Sequence, residues 1–575
     1  MNSNTYQKAK PILCRIIDSV IIFYFLLLWV FYYTGGFVYE FFGITLKLTH
    51  IKNPLIIITT LWLIKHLLLF DSLRSVLRFF HKAFLFATFL LSLHLANYIG
   101  YGYYLNATLA RFDAYKKFAD TPSEGIKSDK GWNVILISID TLRADHLHSY
   151  GYERNTSPHI DKLASEGVLF TNHIAAAPAT LISHASMFTS LNPSVHKAEA
   201  RTRTVLDGRF ITLAEFLKKE GFITTAFTGG GQMNKAFRLD QGFDRYDDEN
   251  DGNGLPDAID KVLNWLKRHK NQRFFLFFHT YQVHAPYSPP PPYDELFYPE
   301  YRGSLGKKIE GEILTQINEK VLPIEQEDLR HIIALYDGEI AFTDAQLGRL
   351  FDELKALGLW EKTLMVLTSD HGEEFNEHGI VGHHGHTLYE ELLKIPLIIK
   401  FPDSSFRGVI VHQQSRGIDI FPTIVDILGF RKPEPIQGIS LLPLIKNPQM
   451  KLALPALSEK EGHELKSLRI NGYKLHVGSR KSKSVTFETP WTKMFFYRIP
   501  EYHSRLKEQA FYDLKTDPGE TRNLHKSQVR LVRVFERKIK QLEEENSLLA
   551  GSFKPGKAQE DQELVKQLKG LGYLQ

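Results

Sequence analysis

The sequence predicts an α/β protein: a doubly wound, mostly parallel sheet with a smaller C-terminal α+β subdomain, preceded by N-terminal transmembrane helices. Three observations carry this reading. Apolar strand-like runs alternate with amphipathic helical runs from Trp132 onward, the pattern of a parallel sheet covered on both faces. Carboxylates and histidines recur where those strands end, the edge at which such sheets bind ligands. The first hundred or so residues are a different material, dominated by long uncharged stretches.

At 575 residues the chain exceeds one ordinary domain. It divides into a membrane region (1–110), a polar linker (111–131), an α/β core (132–407), a C-terminal subdomain (408–525) and a helical tail (526–575). The formal net charge is +5, with basic residues scattered among acids, so there is no argument for nucleic acid as a partner. The single cysteine, Cys14, excludes a disulfide framework within the chain and a cysteine-based metal site.

Within the membrane region, Ser19 to Tyr39 and Ala83 to Ala110 carry no Asp, Glu, Lys or Arg, and each is long enough to cross a bilayer. Asn53 to Phe70 reads as a middle span interrupted by Lys65 and His66, and Gly36 to Ile51 as an interfacial or re-entrant piece. Lys8, Lys10 and Arg15 precede the first span, and Arg74, Arg78 and Lys82 precede the last. With three spans this places the N-terminus inside and everything after residue 110 on the extracytoplasmic side of a multi-pass cell-membrane protein, next to the lipid bilayer.

In the core, W-N-V-I-L-I-S-I-D (Trp132 to Asp140) reads as a buried strand ending in a carboxylate. Ser157 to Gly167 has a Ser cap, Pro in the first turn and Gly at the end, the start and stop signals of a short helix. Further strands are expected at Val168 to Ala176, Phe222 to Thr228, Arg273 to His279, Thr363 to Ser369 and Pro396 to Lys400. Helices are expected at Pro256 to Arg268, Gln326 to Leu357, Asp419 to Leu428 and Gln528 to Leu549. The Pro-rich run Pro286 to Tyr293 can only be an extended loop. A helical run from Ser183 to Leu191 puts Thr180 at a turn just ahead of a helix N-terminus. Thr at such a place is ordinarily a cap, but the free N–H groups there also suit an oxyanion.

Asp140, Asp370 and His371 offer two carboxylates and an imidazole at strand ends. A mixed oxygen and nitrogen set suits one divalent ion, Zn²⁺ or Mn²⁺ ahead of Ca²⁺ or Mg²⁺. Such an ion beside Thr180 lowers the pKa of its hydroxyl and fixes its direction, which makes Thr180 both a candidate nucleophile and a candidate ligand. Ser183 behind it then takes the capping role. Histidines that could donate to ester oxygens or protonate a leaving group stand at His279 and His284, and at His383, His384 and His386. At least two of these five are expected to be ordinary satisfied residues, His279 and His383 first.

Several runs carry a resemblance. I-S-I-D-T-L-R-A-D, followed by Y-G-Y-E-R-N-T-S-P-H-I-D-K-L-A-S-E-G-V-L-F-T-N, resembles the opening of the sulfatase family in the alkaline phosphatase superfamily. D-Q-G-F-D-R-Y-D-D (from Asp240), L-Y-D-G-E-I-A-F-T-D (from Leu335), S-D-H-G-E-E-F-N-E-H-G (from Ser369), H-T-L-Y-E-E-L-L-K-I-P-L-I-I (from His386) and F-Y-D-L-K-T-D-P-G-E-T-R-N-L (from Phe511) agree in order and spacing. The resemblance implies an alkaline phosphatase-like fold and a metal-dependent displacement at the sulfur or phosphorus of an ester. It implies metal positions at Asp140, Asp370 and His371, a nucleophile at Thr180, and catalytic or substrate contacts at His184, His284 and His386.

Three departures stand out. Formylglycine sulfatases have Cys or Ser at position 180, followed by x-P-S-R, whereas this chain reads T-L-I-S-H, with Ile182 for Pro and His184 for Arg. The methyl on the Thr Cβ forbids oxidation to that aldehyde. Thr141 stands where the family has a second Asp, and T-G-G-G-Q-M-N-K replaces a lysine and histidine motif. These departures resemble the membrane-anchored branch that transfers phosphoethanolamine or phosphoglycerol through a Thr, which implies a lipid-linked or envelope ester substrate. Hydrolysis of sulfate esters without formylglycine is the alternative expectation, and a non-catalytic binding protein of the same fold is a third.

Overall fold

The computed structural model describes residues 131–249, 254–382, 384, 387–460, 462, 465–478, 509–552, 555–559, 564 and 567. N-terminal to these it describes 12, 15–21, 37–41, 44–48, 61, 81, 84–86, 88–89, 92, 100 and 102–116. The chain forms two units, one of residues 1–111 with 523–538 and one of 112–522 with 539–575.

In the first unit, strands β1 (Phe37–Phe41) and β2 (Ile44–Leu48) pair as an antiparallel hairpin. β1 overlaps the end of the first expected span, and the hairpin occupies the piece expected to be interfacial or re-entrant. Most of the first and middle expected spans lies outside the described residues, and the last is described at 84–86, 88–89, 92, 100 and 102–110. Among the described residues, no helix is long and apolar enough to cross a membrane.

The second unit is built on a mixed sheet that has nine strands among the described residues. Its strands are β3 (Asn133–Ile139), β4 (Val168–Ile174), β5 (Ile223–Phe227), β6 (Arg245–Asp247), β7 (Phe274–Thr280), β8 (Thr363–Thr368), β9 (Lys394–Lys400), β10 (Val409–Val411) and β11 (Ser415–Arg416). The order is β10-β4-β9-β8-β3-β7-β5-β6, with β11 beside β4. β9 runs antiparallel to both of its neighbours, and the remaining pairs are parallel. Val, Ile, Leu and Phe fill the central strands because both faces are covered. Val134, Leu136, Phe275, Phe277, Leu364 and Val366 belong to one core. Their neighbours Ile135, Ile137, Phe274, Leu276, Met365 and Leu367 belong to another. That period-2 alternation places one apolar layer on each side.

The helices divide between the two faces in the same way. Helix α1 (Pro158–Ser165), α4 (Leu255–His269) and α5 (Gln326–Ala356) contribute Ile160, Ile259 and Leu335 to the second core. Helix α2 (Thr180–Thr189), α3 (Leu213–Lys219) and α6 (Ile420–Ile427) contribute Leu181, Leu217 and Ile424 to the first. A second, antiparallel sheet orders β12 (Ala456–Glu459), β13 (Leu465–Ile470), β14 (Tyr473–Gly478) and β15 (Gln509–Asp513) side by side. The boundary expected at residue 408 therefore falls inside the large sheet, because β10 and β11 pair with β4.

β12 docks on the segment leading to α2: the Ser458 hydroxyl donates to the Ala175 carbonyl at 2.6 Å, and the Glu459 N–H to that of Ala176 at 2.9 Å.

Candidate active site

Parallel register brings the chemistry together. Ser138 in β3 stands opposite His279 in β7 and Thr368 in β8. The residues following β3 and β8, Asp140 and Asp370-His371, therefore emerge side by side with His279 at one sheet edge. α2 delivers Thr180 to the same point. The helix starts at Thr180 rather than at Ser183, with Ala179 as an N-cap that makes no side-chain hydrogen bond.

All five side chains are buried. Thr180 Oγ1 donates to Asp140 Oδ2 at 3.2 Å and lies 3.5 Å from His371 Nε2. His371 Nε2 is 3.7 Å from Asp140 Oδ1 and 3.5 Å from Asp370 Oδ2. His279 Nε2 is 3.5 Å from Asp140 Oδ2. Asp140 Oδ1, Asp370 Oδ2 and His279 Nε2 have no hydrogen-bond partner. Buried polar atoms are nearly always paired, so the orphaned Asp140 Oδ1 and Asp370 Oδ2, both within 3.7 Å of His371 Nε2, fit a divalent cation. Ligand atoms about 2.1 Å from one ion at tetrahedral angles sit roughly 3.4 Å apart, which matches these separations.

Electrostatics agree. Burial would raise the Asp140 carboxyl, but the imidazoles of His279 and His371 beside it hold it far below the usual range. Burial and the Asp140 charge push Asp370 up. Two buried carboxylates this close drive each other's protonation apart, so the pair shares one site. Asp140, Asp370 and His371 form one group able to hold a metal; His184, His279 and Asp370 form a second by proximity. The second group fails on chemistry. His184 Nδ1 lies 2.8 Å from the Thr180 carbonyl and Nε2 2.9 Å from Ser138 Oγ, so neither nitrogen has a lone pair for an ion.

These contacts also change the reading of His184. Burial holds its imidazole down to about 3, so it is neutral, and it lies beneath the first turn of α2, bracing the backbone of Thr180. Ser183 likewise does not cap: its hydroxyl donates to the Asp370 carbonyl at 2.7 Å and ties the helix to β8. Free N–H groups are expected near Thr180; here the Leu181 N–H donates to Gln232 Oε1 at 3.1 Å. Gln232 follows Gly229, Gly230 and Gly231, all at positive φ, a backbone path that only glycine follows without strain. Thr141, at the family's second Asp position, takes φ 55° and leaves its own hydroxyl buried and unpaired.

Among the other histidines, His279, expected to be an ordinary residue, is at the centre. His284 packs its ring 4.9 Å from that of His384, which lies 4.4 Å from the ring of His371. His384 faces Glu373 Oε1 at 3.4 Å, and Glu373 accepts from the Tyr287 hydroxyl at 2.9 Å. His383 and His386 lie outside the described residues. A cavity of about 210 Å³ opens beside His279 and His284, walled by Tyr281, Asp247 and Asp257.

A family model described as Sulfatase matches residues 132–430, just over half of the chain. The chain belongs to the sulfatase family. It is similar to the multifunctional alkaline phosphatase superfamily protein PehA of Trinickia caryophylli, at 26% identity over 68% of this chain and 91% of the relative. It is also similar to an N-acetylglucosamine-6-O-sulfatase of Bacteroides thetaiotaomicron, at 23% identity over 71% of this chain and 86% of the relative. The phosphonate monoester hydrolase of Agrobacterium radiobacter shares the fold, with TM-score 0.56 and 21% identity over 72% of this chain and 96% of that one. A putative sulfatase of Bacteroides fragilis does so with TM-score 0.57 and 21% identity, over 73% and 97%. This sulfatase-family chain is an enzyme of the sulfate and phosphate ester hydrolase class with an alkaline phosphatase-like α/β fold, and its family uses a divalent metal ion.

Proposed function

We propose that this sulfatase-family enzyme cleaves or transfers phosphate esters, phosphodiesters above all, by nucleophilic attack of Thr180. The observation that carries the reading is the placement of Thr180 Oγ1, 3.2 Å from Asp140 Oδ2 at the mouth of the orphaned cluster. Asp140, Asp370 and His371, with Thr180 itself, would hold the metal, which supplies Lewis acidity to the nucleophile and to the ester oxygens. The hydroxyl proton leaves to water, because Asp140 is held ionised and is too weak a base to keep it. The Thr180 oxygen bonds to phosphorus, and the bond from phosphorus to the departing alcohol breaks in line. His284 and His386, both proposed at the substrate, and His384 would hold ester oxygens and return a proton to the alcohol. A second in-line attack, by water or an acceptor hydroxyl, frees Thr180. His184 and Ser183 brace the first turn so that the hydroxyl stays aimed.

Phosphate is favoured over sulfate because Thr has no geminal hydroxyl through which formylglycine enzymes expel sulfate. Sulfate ester hydrolysis is the second reading, favoured by the sulfatases among its relatives. The apolar segments before residue 110 support a membrane-anchored enzyme with its catalytic unit on the extracytoplasmic side and a lipid-linked or envelope substrate.

Mass spectrometry of protein quenched during turnover of a phosphodiester is expected to find phosphate on Thr180. Thr180→Ala, metal-loaded, is expected to lose activity by at least about 1000-fold. Full activity of that variant would refute the mechanism, and turnover of an aryl sulfate in preference to the matched phosphodiester would favour the second reading.

A further inference from the structure

We propose that His279 is a ligand of the divalent metal, a further protein side chain at the centre beside Asp140, Thr180, Asp370 and His371. This rests on the reading that the centre binds a metal. His279 is the penultimate residue of β7, and its Nδ1 lies 2.9 Å from the Thr228 carbonyl. A carbonyl only accepts, so Nδ1 carries the proton and the neutral ring keeps a lone pair on Nε2. That nitrogen is wholly buried and has no hydrogen-bond partner. It faces Asp140 Oδ2 at 3.5 Å, the spacing of His371 Nε2 from Asp370 Oδ2 across the same cluster.

The ring cannot easily turn away. It stands edge-on to His184 at 4.9 Å and to Tyr281 at 4.6 Å between centroids. The rival description is an imidazolium donating to Asp140 or to a substrate oxygen. That would bury a second positive charge against a divalent ion, with Coulomb repulsion weakly screened at full burial. A neutral imidazole with an inward lone pair meets no such penalty.

Two carboxylates and two imidazoles make a donor set that selects Zn²⁺ or Mn²⁺ over Ca²⁺, which prefers oxygen throughout.

The test uses the full chain in detergent, stripped with a chelator and titrated with Zn²⁺ against a chromophoric competitor. His279→Ala and His279→Gln are expected to weaken Zn²⁺ binding by about 100-fold or more. They are expected to leave Ca²⁺ binding essentially unchanged and to alter the visible spectrum of the Co²⁺ form. Melting of the stripped variants beside the stripped wild type separates ligand loss from unfolding. X-ray absorption of the Zn²⁺-loaded wild type needs no variant and is expected to show at least two imidazoles; a single one overturns the assignment. Equal Zn²⁺ affinity in wild type and variants overturns it while the metal reading stands. A wild type that takes up no ion overturns both.

Discussion

Asp370 stands beside a second buried carboxylate, Asp140. It is fully buried, and burial together with the Asp140 charge raises its carboxyl above the usual range. The folded, metal-free state therefore holds a proton that the unfolded chain releases first, and that contribution to stability is lost as pH rises through the raised folded value. Asp370→Asn removes the like charge but also a proposed metal ligand. In metal-free protein at about pH 7 it is expected to raise the melting temperature, and with saturating Zn²⁺ to lower it, as read by calorimetry. His279 and His371 show why residue type was not enough to sort the candidates. Both are buried histidines at strand ends, and only the atom facing each ring nitrogen separates a ligand from a satisfied neighbour such as His184.

Two elements hold the site in shape. Gly372, directly after the metal-side His371, is backed by the Glu391 carbonyl, which a Cβ would approach to 1.9 Å. Gly372→Ala is expected to cost about 1–3 kcal/mol and to loosen metal binding, measured by denaturation and by Zn²⁺ titration. The loop after β7, which carries His284, is pinned to α5 by Glu339. Its carboxyl accepts from the Gln282 side chain and the Ser288 N–H, each at 2.6 Å. Burial pushes Glu339 up to about 8 from an ordinary 4.5. A raised folded value means the stabilising proton is fully held below about pH 4.5 and lost as pH rises through about 8. Glu339→Gln, which keeps the shape and cannot ionise, is expected to flatten that loss and to melt higher than wild type above about pH 8, followed by thermal denaturation of metal-loaded protein.

At the scale of the whole molecule, the tail completes the catalytic unit. Leu564 is fully buried in the core beneath α2, and Gln567 accepts from the Gly231 N–H at 3.0 Å and from the Asn234 amide at 2.8 Å. It therefore secures the glycine-rich loop whose Gln232 caps the helix of Thr180. Ending the chain after residue 556 removes that clamp and about 1.5–3 kcal/mol of Leu564 burial. The truncated enzyme is expected to melt lower and to turn over more slowly, tested by calorimetry beside steady-state kinetics.

The alternation of apolar runs and the positions of Asp140, Thr180, Asp370 and His371 are legible in the chain alone, because strand period and strand-end chemistry are local properties. The sequence by itself determined the α/β fold class and the family, and it named Asp140, Thr180, Asp370 and His371, which the fold brings side by side. Only the tertiary structure decided that Thr180 opens its helix, that Gln232 and not Ser183 serves its N-terminus, that β9 turns against its neighbours, and that His279 faces the metal cluster while His184 does not. Those are matters of register, direction and partner, set by contacts between segments far apart in the chain, and no pattern within a single segment records them.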